Sequence, residues 1–179
     1  MFKVKVLVIG PTEVQIRTGS GEYHPTQGVR ILEFECPDRN KGSSCEVEFW
    51  DCGGDPKFES CWPAIMKYSH GVIIVFNADI PSHLKEIEMW HSNFIQQQRL
   101  QESRCVLIAH KKPGRPGFPG SGDERERLHL SPALAKLTLI YSNLEDDPED
   151  VKTELMKYLR DIVSLLSESR DREEMSIIT

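Results

Sequence analysis

The segment Trp50-Asp51-Cys52-Gly53-Gly54-Asp55-Pro56-Lys57-Phe58 holds the residues best suited by type and spacing to chemistry. An aspartate where a strand ends, with a glycine three residues on, can hold a magnesium-bound water and offer a backbone N–H to a phosphate. The plainer alternative is that Asp51 and Gly54 only build a turn. The histidines promise less. His24, His70, His83, His91 and His129 lack metal-ligand spacing or a paired carboxylate pattern, so packing and surface roles are expected. The five cysteines are an odd count with no CxxC, which reads as reduced thiols. Cys36, Cys45, Cys52, Cys61 and Cys105 lie on or beside apolar segments and are expected to be buried. No Ser-His-Asp arrangement can be argued from order alone. Glu145-Asp146-Asp147 and Arg170-Asp171-Arg172-Glu173-Glu174 read as solvated charge, the second also as a docking tail.

These residues need a frame, and the hydrophobic pattern supplies one. Lys3–Ile9 is apolar enough for a strand covered on both faces and stops at Gly10. Val29–Cys36 and Ser44–Cys52 alternate with period two, and the turn-rich Pro37–Gly42 joins them as a hairpin. Gly71–Ala78 and Arg104–Ala109 are continuous apolar runs, the pattern of buried parallel strands, and Leu137–Tyr141 is a sixth candidate. Ser82–Gln98 carries Leu84, Ile87, Trp90 and Phe94 on one helical face, with Ser82 as the expected N-cap. Val151–Leu166 repeats apolar residues at steps of three and four, with Asp147 and Pro148 starting that helix. Alternation of this kind predicts a doubly wound, mainly parallel six-stranded α/β sheet with one antiparallel edge hairpin. In such a sheet ligands collect at the carboxyl ends of the strands. One domain over residues 1–166 is expected, followed by a charged, flexible tail over 167–179.

Composition narrows the function classes. At 179 residues the chain is long enough for one self-sufficient core, without metal or disulfide. Twenty-two basic residues against 28 acidic ones give a net charge of −6, which disfavours nucleic acid and a polybasic lipid anchor. No apolar run approaches the ~18–20 residues of a membrane span, no signal-peptide pattern is present, and the C-terminus has no prenylatable cysteine. A soluble intracellular domain is expected.

The Trp-Asp-x-x-Gly-x-x-x-Phe pattern at Trp50–Phe58 resembles the second-switch segment of Ras-superfamily GTPases, and Tyr23-His24-Pro25-Thr26-Gln27-Gly28 resembles their first switch. A two-strand hairpin separates the two motifs, as the family requires. The resemblance spans almost the whole chain. WDCGGDPKFESCWPA, GVIIVFNADIPSH, SNLEDDPED and the ending SESRDREEMSIIT are similar to the Rab-like subunit of the intraflagellar transport B complex.

That resemblance implies a Ras-like fold, GTP or GDP with Mg2+, and a role in cilium assembly at the cilium and its base through coiled-coil partner subunits. It assigns nucleotide contacts to Gly10, Thr26, Asp51, Gly54, His110, Lys111 and Ser142, with Thr26 and Asp51 toward magnesium. Phe58 and Trp62 become candidate aromatic anchors for a partner on the switch surface.

The sequence also departs from the family. A phosphate loop reads GxxxxGK[ST], where backbone N–H groups cradle phosphate, lysine neutralises charge and Ser/Thr binds magnesium. Here Gly10 is followed by Pro11-Thr12-Glu13-Val14-Gln15-Ile16-Arg17, so Gly, Lys and Ser/Thr are replaced by Gln15, Ile16 and Arg17. The stretch between Gly10 and Thr26 is too short for a loop, a helix of about 11 residues and a switch. The first helix is expected to be missing or truncated. Gly19-Ser20-Gly21 is a weak candidate for an anion nest. Asp55 stands at the position of the catalytic glutamine, where a carboxylate would repel the γ-phosphate. The guanine-specificity motif appears as His110-Lys111-Lys112-Pro113, its aspartate lost to Pro113, and Ser142-Asn143-Leu144 matches the last loop weakly.

Three expectations follow. The first is a partner-binding, GTPase-like subunit with weak or lost nucleotide binding and no efficient hydrolysis. The second is a slow GTP-driven switch. The third is a shortened variant of marginal stability, its sheet uncovered around Val4, Val6 and Val8.

Overall fold

The computed structural model of the chain describes residues 2–11, 28–37, 42, 44–110, 128–142 and 148–178. Six strands, β1 (Lys3–Ile9), β2 (Val29–Pro37), β3 (Ser44–Cys52), β4 (Gly71–Asn77), β5 (Cys105–His110) and β6 (Thr138–Ser142), form one sheet ordered β2-β3-β1-β4-β5-β6. Five run parallel, and β2 pairs antiparallel with β3 in the register Arg30 opposite Asp51 and Cys36 opposite Cys45. The expected α/β architecture with its edge hairpin is therefore present. Strand limits differ from the sequence expectation by a residue at β2, β4, β5 and β6. Residues 12–27, where the first helix was expected to be missing, lie outside the described residues.

Helices cover both faces. On one, α1 (Trp62–Met66), preceded by a 3-10 turn (Pro56–Cys61), α2 (Pro81–His91) and α3 (Pro132–Ala135) pack over Leu7, Ile74, Phe76 and Leu107. On the other, α4 (Pro148–Ile178) lays Tyr158, Leu159, Ile162 and Val163 against Val4, Val6, Ile73 and Val75. β4 lies between β1 and β5 with every residue buried, which explains its continuous apolar run. Gly71 at its start lets α4 come close, because a Cβ there would meet Tyr158 Oη and Ile162 Cδ1. Tyr158 then donates a 2.7 Å hydrogen bond to the Arg104 carbonyl.

The structure corrects several expectations. Val4, Val6 and Val8 are 0%, 0% and 6% exposed, so the face thought to be bare is closed, with α4 in its core cluster. α2 is capped by extended Ile80 with no side-chain bond, not by Ser82; Pro81 at the first helical position moves Ser82 into the first turn. The same helix ends at His91, and a π-type turn over Ser92–Gln96 carries the chain on with Phe94 still buried. α4 does not stop near Leu166 but continues to Ile178, through the segment read as a tail. Its last buried residue is Ser167; beyond it Met175, Ile177 and Ile178 are exposed. Asp147, its expected cap, lies outside the described residues. Cys61 is exposed, unlike the other four cysteines, at the end of a 3-10 turn that buries none of its residues.

Candidate functional site

The five parallel strands bring their carboxyl ends to one edge of the sheet. The chain leaves central β1 toward β2 and β3 on one side and reaches β4, β5 and β6 on the other, so the topological switch point is at Gly10. Register places Val8 beside Asp51, Asn77 beside His110, and His110 beside Ser142. Gly10, Asp51, Gly54, His110 and Ser142 therefore lie at or just beyond the carboxyl ends of their strands, along one edge. Thr26 and Lys111 lie outside the described residues, as do Gly19–Gly21 and Asn143.

Gly10 has a packing reason to be glycine. Its φ is +156°, and a Cβ there would overlap the Val75 carbonyl on β4. No phosphate is needed to explain it.

At the end of β3 the polar groups are already engaged. The Arg30 guanidinium, directly opposite on β2, lies 3.3 Å from the Asp51 carboxylate, whose side chain is only 15% exposed. Gly53 donates its N–H to the Gly28 carbonyl at 2.8 Å, tying this turn to the strand entry of β2. Asp55 caps the 3-10 turn: its Oδ1 accepts from the Lys57 N–H at 3.0 Å, and Lys57 Nζ lies 3.3 Å from its other oxygen. The Lys57 N–H, more than the lysine charge, holds the Asp55 carboxyl below its ordinary range. Cys52 is inert, its thiol pushed up to about 12 by burial and then by the Asp51 charge.

Farther along the edge, Asn77 is 5% exposed. Its Oδ1 accepts from Asp79 N–H at 2.9 Å, and its own N–H donates to His83 Nδ1 at 3.1 Å. This turn into α2 was not anticipated, although an asparagine closing an apolar run is its signal. Arg30 was also missed. Only the hairpin register reveals it.

The partner-anchor expectation divides. Trp62 is 6% exposed, with ring centroids 4.8 Å from Trp90 and 5.1 Å from Phe94. It is a core residue, since α1 folds back on α2, and it presents no surface to a partner. Phe58 is half-buried, with Lys57 Nζ 5.0 Å from its ring centroid.

Among the described residues of this edge, Asp51 is the oxygen ligand the family motif supplies, and it already faces a guanidinium; magnesium demands an octahedral oxygen shell. The described residues do not fit a magnesium site. Glu33, Glu46 and Glu48 converge elsewhere on β2 and β3. There Lys3 Nζ, 3.7, 2.6 and 3.2 Å from the three carboxylates, supplies the positive charge.

Comparison with known proteins agrees with this frame. The family model for Roc, the Ras of Complex domain of DAPkinase, matches residues 12–113. The Xenopus tropicalis protein described as intraflagellar transport protein 22 homolog is 78% identical over 190 residues, covering 100% of both chains. The Bos taurus homolog is 61% identical over 191 residues, again covering 100% of both. The T. brucei IFT22/74/81 GTP-bound crystal structure superposes with a TM-score of 0.69 at 24% identity, covering 93% of this chain and 98% of that one. With a Ras-type domain model across more than half of it and full-length relatives of this similarity, the chain belongs to the intraflagellar transport protein 22 family of Ras-like GTPase-domain proteins.

Proposed function

We propose that the chain is a GTPase-like binding subunit of the intraflagellar transport B particle that acts in cilium assembly with weak or no nucleotide binding. The observation that carries this is the replacement of the phosphate loop's Gly, Lys and Ser/Thr by Gln15, Ile16 and Arg17 in a chain otherwise so similar to its relatives. The alignment to the Xenopus tropicalis relative runs over 190 residues against the 179 present here, a difference of eleven. We assign that difference to the phosphate loop and first helix, where Gly10 and Thr26 stand too close together. Each lost charge-assisted hydrogen bond removes about 1.5–3 kcal/mol, so several together bring affinity below a useful range.

Binding to coiled-coil partner subunits at the cilium and its base completes the assignment. The structural neighbour, a crystal structure of IFT22/74/81, supports partners of that particle. The expected surface is the half-exposed switch side, with Phe58 as its aromatic residue and Ile31, 45% exposed, on the adjacent edge strand. No helix of the described residues is long and apolar enough to cross a membrane.

A slow, GTP-driven switch is the second assignment, favoured by the GTP-bound state of that neighbour. Equilibrium titration with fluorescent GTP and GDP in magnesium separates the two. No binding up to millimolar nucleotide by a chain whose circular dichroism is α/β supports the first; specific micromolar binding supports the second. Retention of the chain by the coiled-coil subunits at micromolar protein tests the partner assignment, and its absence would count against it.

A further inference from the structure

Resting on the nucleotide-poor assignment above, we infer that Arg30 is the built-in counter-ion of Asp51, standing where a divalent cation would otherwise be needed and holding Asp51–Phe58 in one conformation without metal. Three independent features converge on this segment. Antiparallel register sets Arg30 directly opposite Asp51, and the guanidinium approaches the carboxylate to 3.3 Å. The Gly53 N–H, next to the Gly54 of the Asp-x-x-Gly pattern, is bonded to the Gly28 carbonyl at 2.8 Å and ties this turn to the entry of β2. Asp55 is closed onto Lys57 as the cap of the following turn.

The Asp51 side chain is only 15% exposed, and a guanidinium can face it without the octahedral shell that magnesium demands. An arginine fixed in a strand cannot dissociate as a metal ion does. The segment therefore stays formed whatever the magnesium or nucleotide concentration, and the surface carrying Phe58 is permanent rather than switched.

Amide hydrogen exchange of the full chain, read over Cys52–Phe58 in EDTA and in millimolar magnesium, tests this without nucleotide. Wild type is expected to exchange identically in both conditions. Arg30→Gln should raise exchange in this segment about tenfold in EDTA, with part of the rise reversed by magnesium. Arg30→Lys, which keeps the charge, should remain close to wild type. Asp51→Asn placed in the Arg30→Gln background should remove the magnesium response, since the charge to be neutralised is gone. Circular dichroism checks that each variant is folded. Magnesium-dependent exchange in wild type, or an Arg30→Gln variant indistinguishable from it, would overturn the inference. If nucleotide titration shows tight binding while exchange of the nucleotide-free chain stays magnesium-independent, the nucleotide-poor assignment fails and the role of Arg30 stands.

Discussion

The apolar layer beneath α2 and the carboxyl edge of the sheet lie within one Ras-like domain, yet they have fared differently. Beneath α2, Trp62, Trp90 and Phe94 interlock with centroid separations of 4.8–5.3 Å, and Phe76, Ile87 and Leu107 beside them are wholly buried. At the edge the frame also persists, but Asp51, Gly53 and Asp55 are bonded to Arg30, Gly28 and Lys57. Interior packing depends on side-chain volume, which any functional variant of the fold must keep. Edge chemistry depends on a few groups in short loops, and these can be redirected into local ion pairs and caps without disturbing the sheet. A fold and the chemistry at its edge are thus set by separate groups of residues.

Breaking the interior should give the largest effect. Trp90→Ala is expected to cost about 3–5 kcal/mol in urea denaturation, comparable with a domain's whole stability. Trp62→Phe should cost far less, since the Trp62 indole N–H is buried with no hydrogen-bond partner among the described residues. Wild-type partner binding by Trp62→Phe would also agree with its place in the core. Equal losses from Phe58→Ala and Trp90→Ala would dissolve the contrast between edge and interior.

A second test enters from the α4 side. Gly71→Ala places a methyl group against Tyr158 and Ile162 and should cost about 1–3 kcal/mol by the same measurement. An unchanged midpoint would mean that α4 does not press on β4 as described.

Acid should act in two windows. Burial is the main cause that lowers His70 and His91 below their ordinary 6.5, so the unfolded chain takes up their protons first and stability falls as pH drops through 6.5. His70 Nδ1 accepts the Lys5 N–H at 2.9 Å, which requires that nitrogen unprotonated. Glu48 and Asp55 are held below their ordinary values, first by the Trp50 indole N–H and the Lys57 N–H respectively. Their share is present above the ordinary carboxylate range and is lost only as pH falls through their lower folded values. Thermal midpoints from pH 7.5 downward should show a first decline near neutrality, absent in a His70→Gln, His91→Gln double variant. A single decline confined below pH 4 would contradict this order.

The smallest effect belongs to Lys3. Although it touches three glutamates, it is an open surface residue, and exposed pairs are screened by solvent and salt. Lys3→Met should shift the midpoint least of these variants, and high salt should shrink the shift further.

The sequence by itself determined the strand order class and the edge hairpin. Continuous apolar runs and period-two alternation record how many faces of a strand are covered, and that is a local property. It also placed Gly10, Asp51, Gly54, His110 and Ser142 on one edge, since parallel strands must end together. Tertiary structure decided the rest. Trp62 reads as an exposed anchor until α1 folds back on α2, because a five-residue helix has too short a period to reveal its buried side. The cover over Val4, Val6 and Val8 includes α4, a helix more than a hundred residues away in sequence. Arg30 meets Asp51 only through the hairpin register, which turn geometry sets and composition does not. Contacts between residues distant in sequence leave no local pattern, so only the folded chain shows that the charge beside Asp51 is its own arginine.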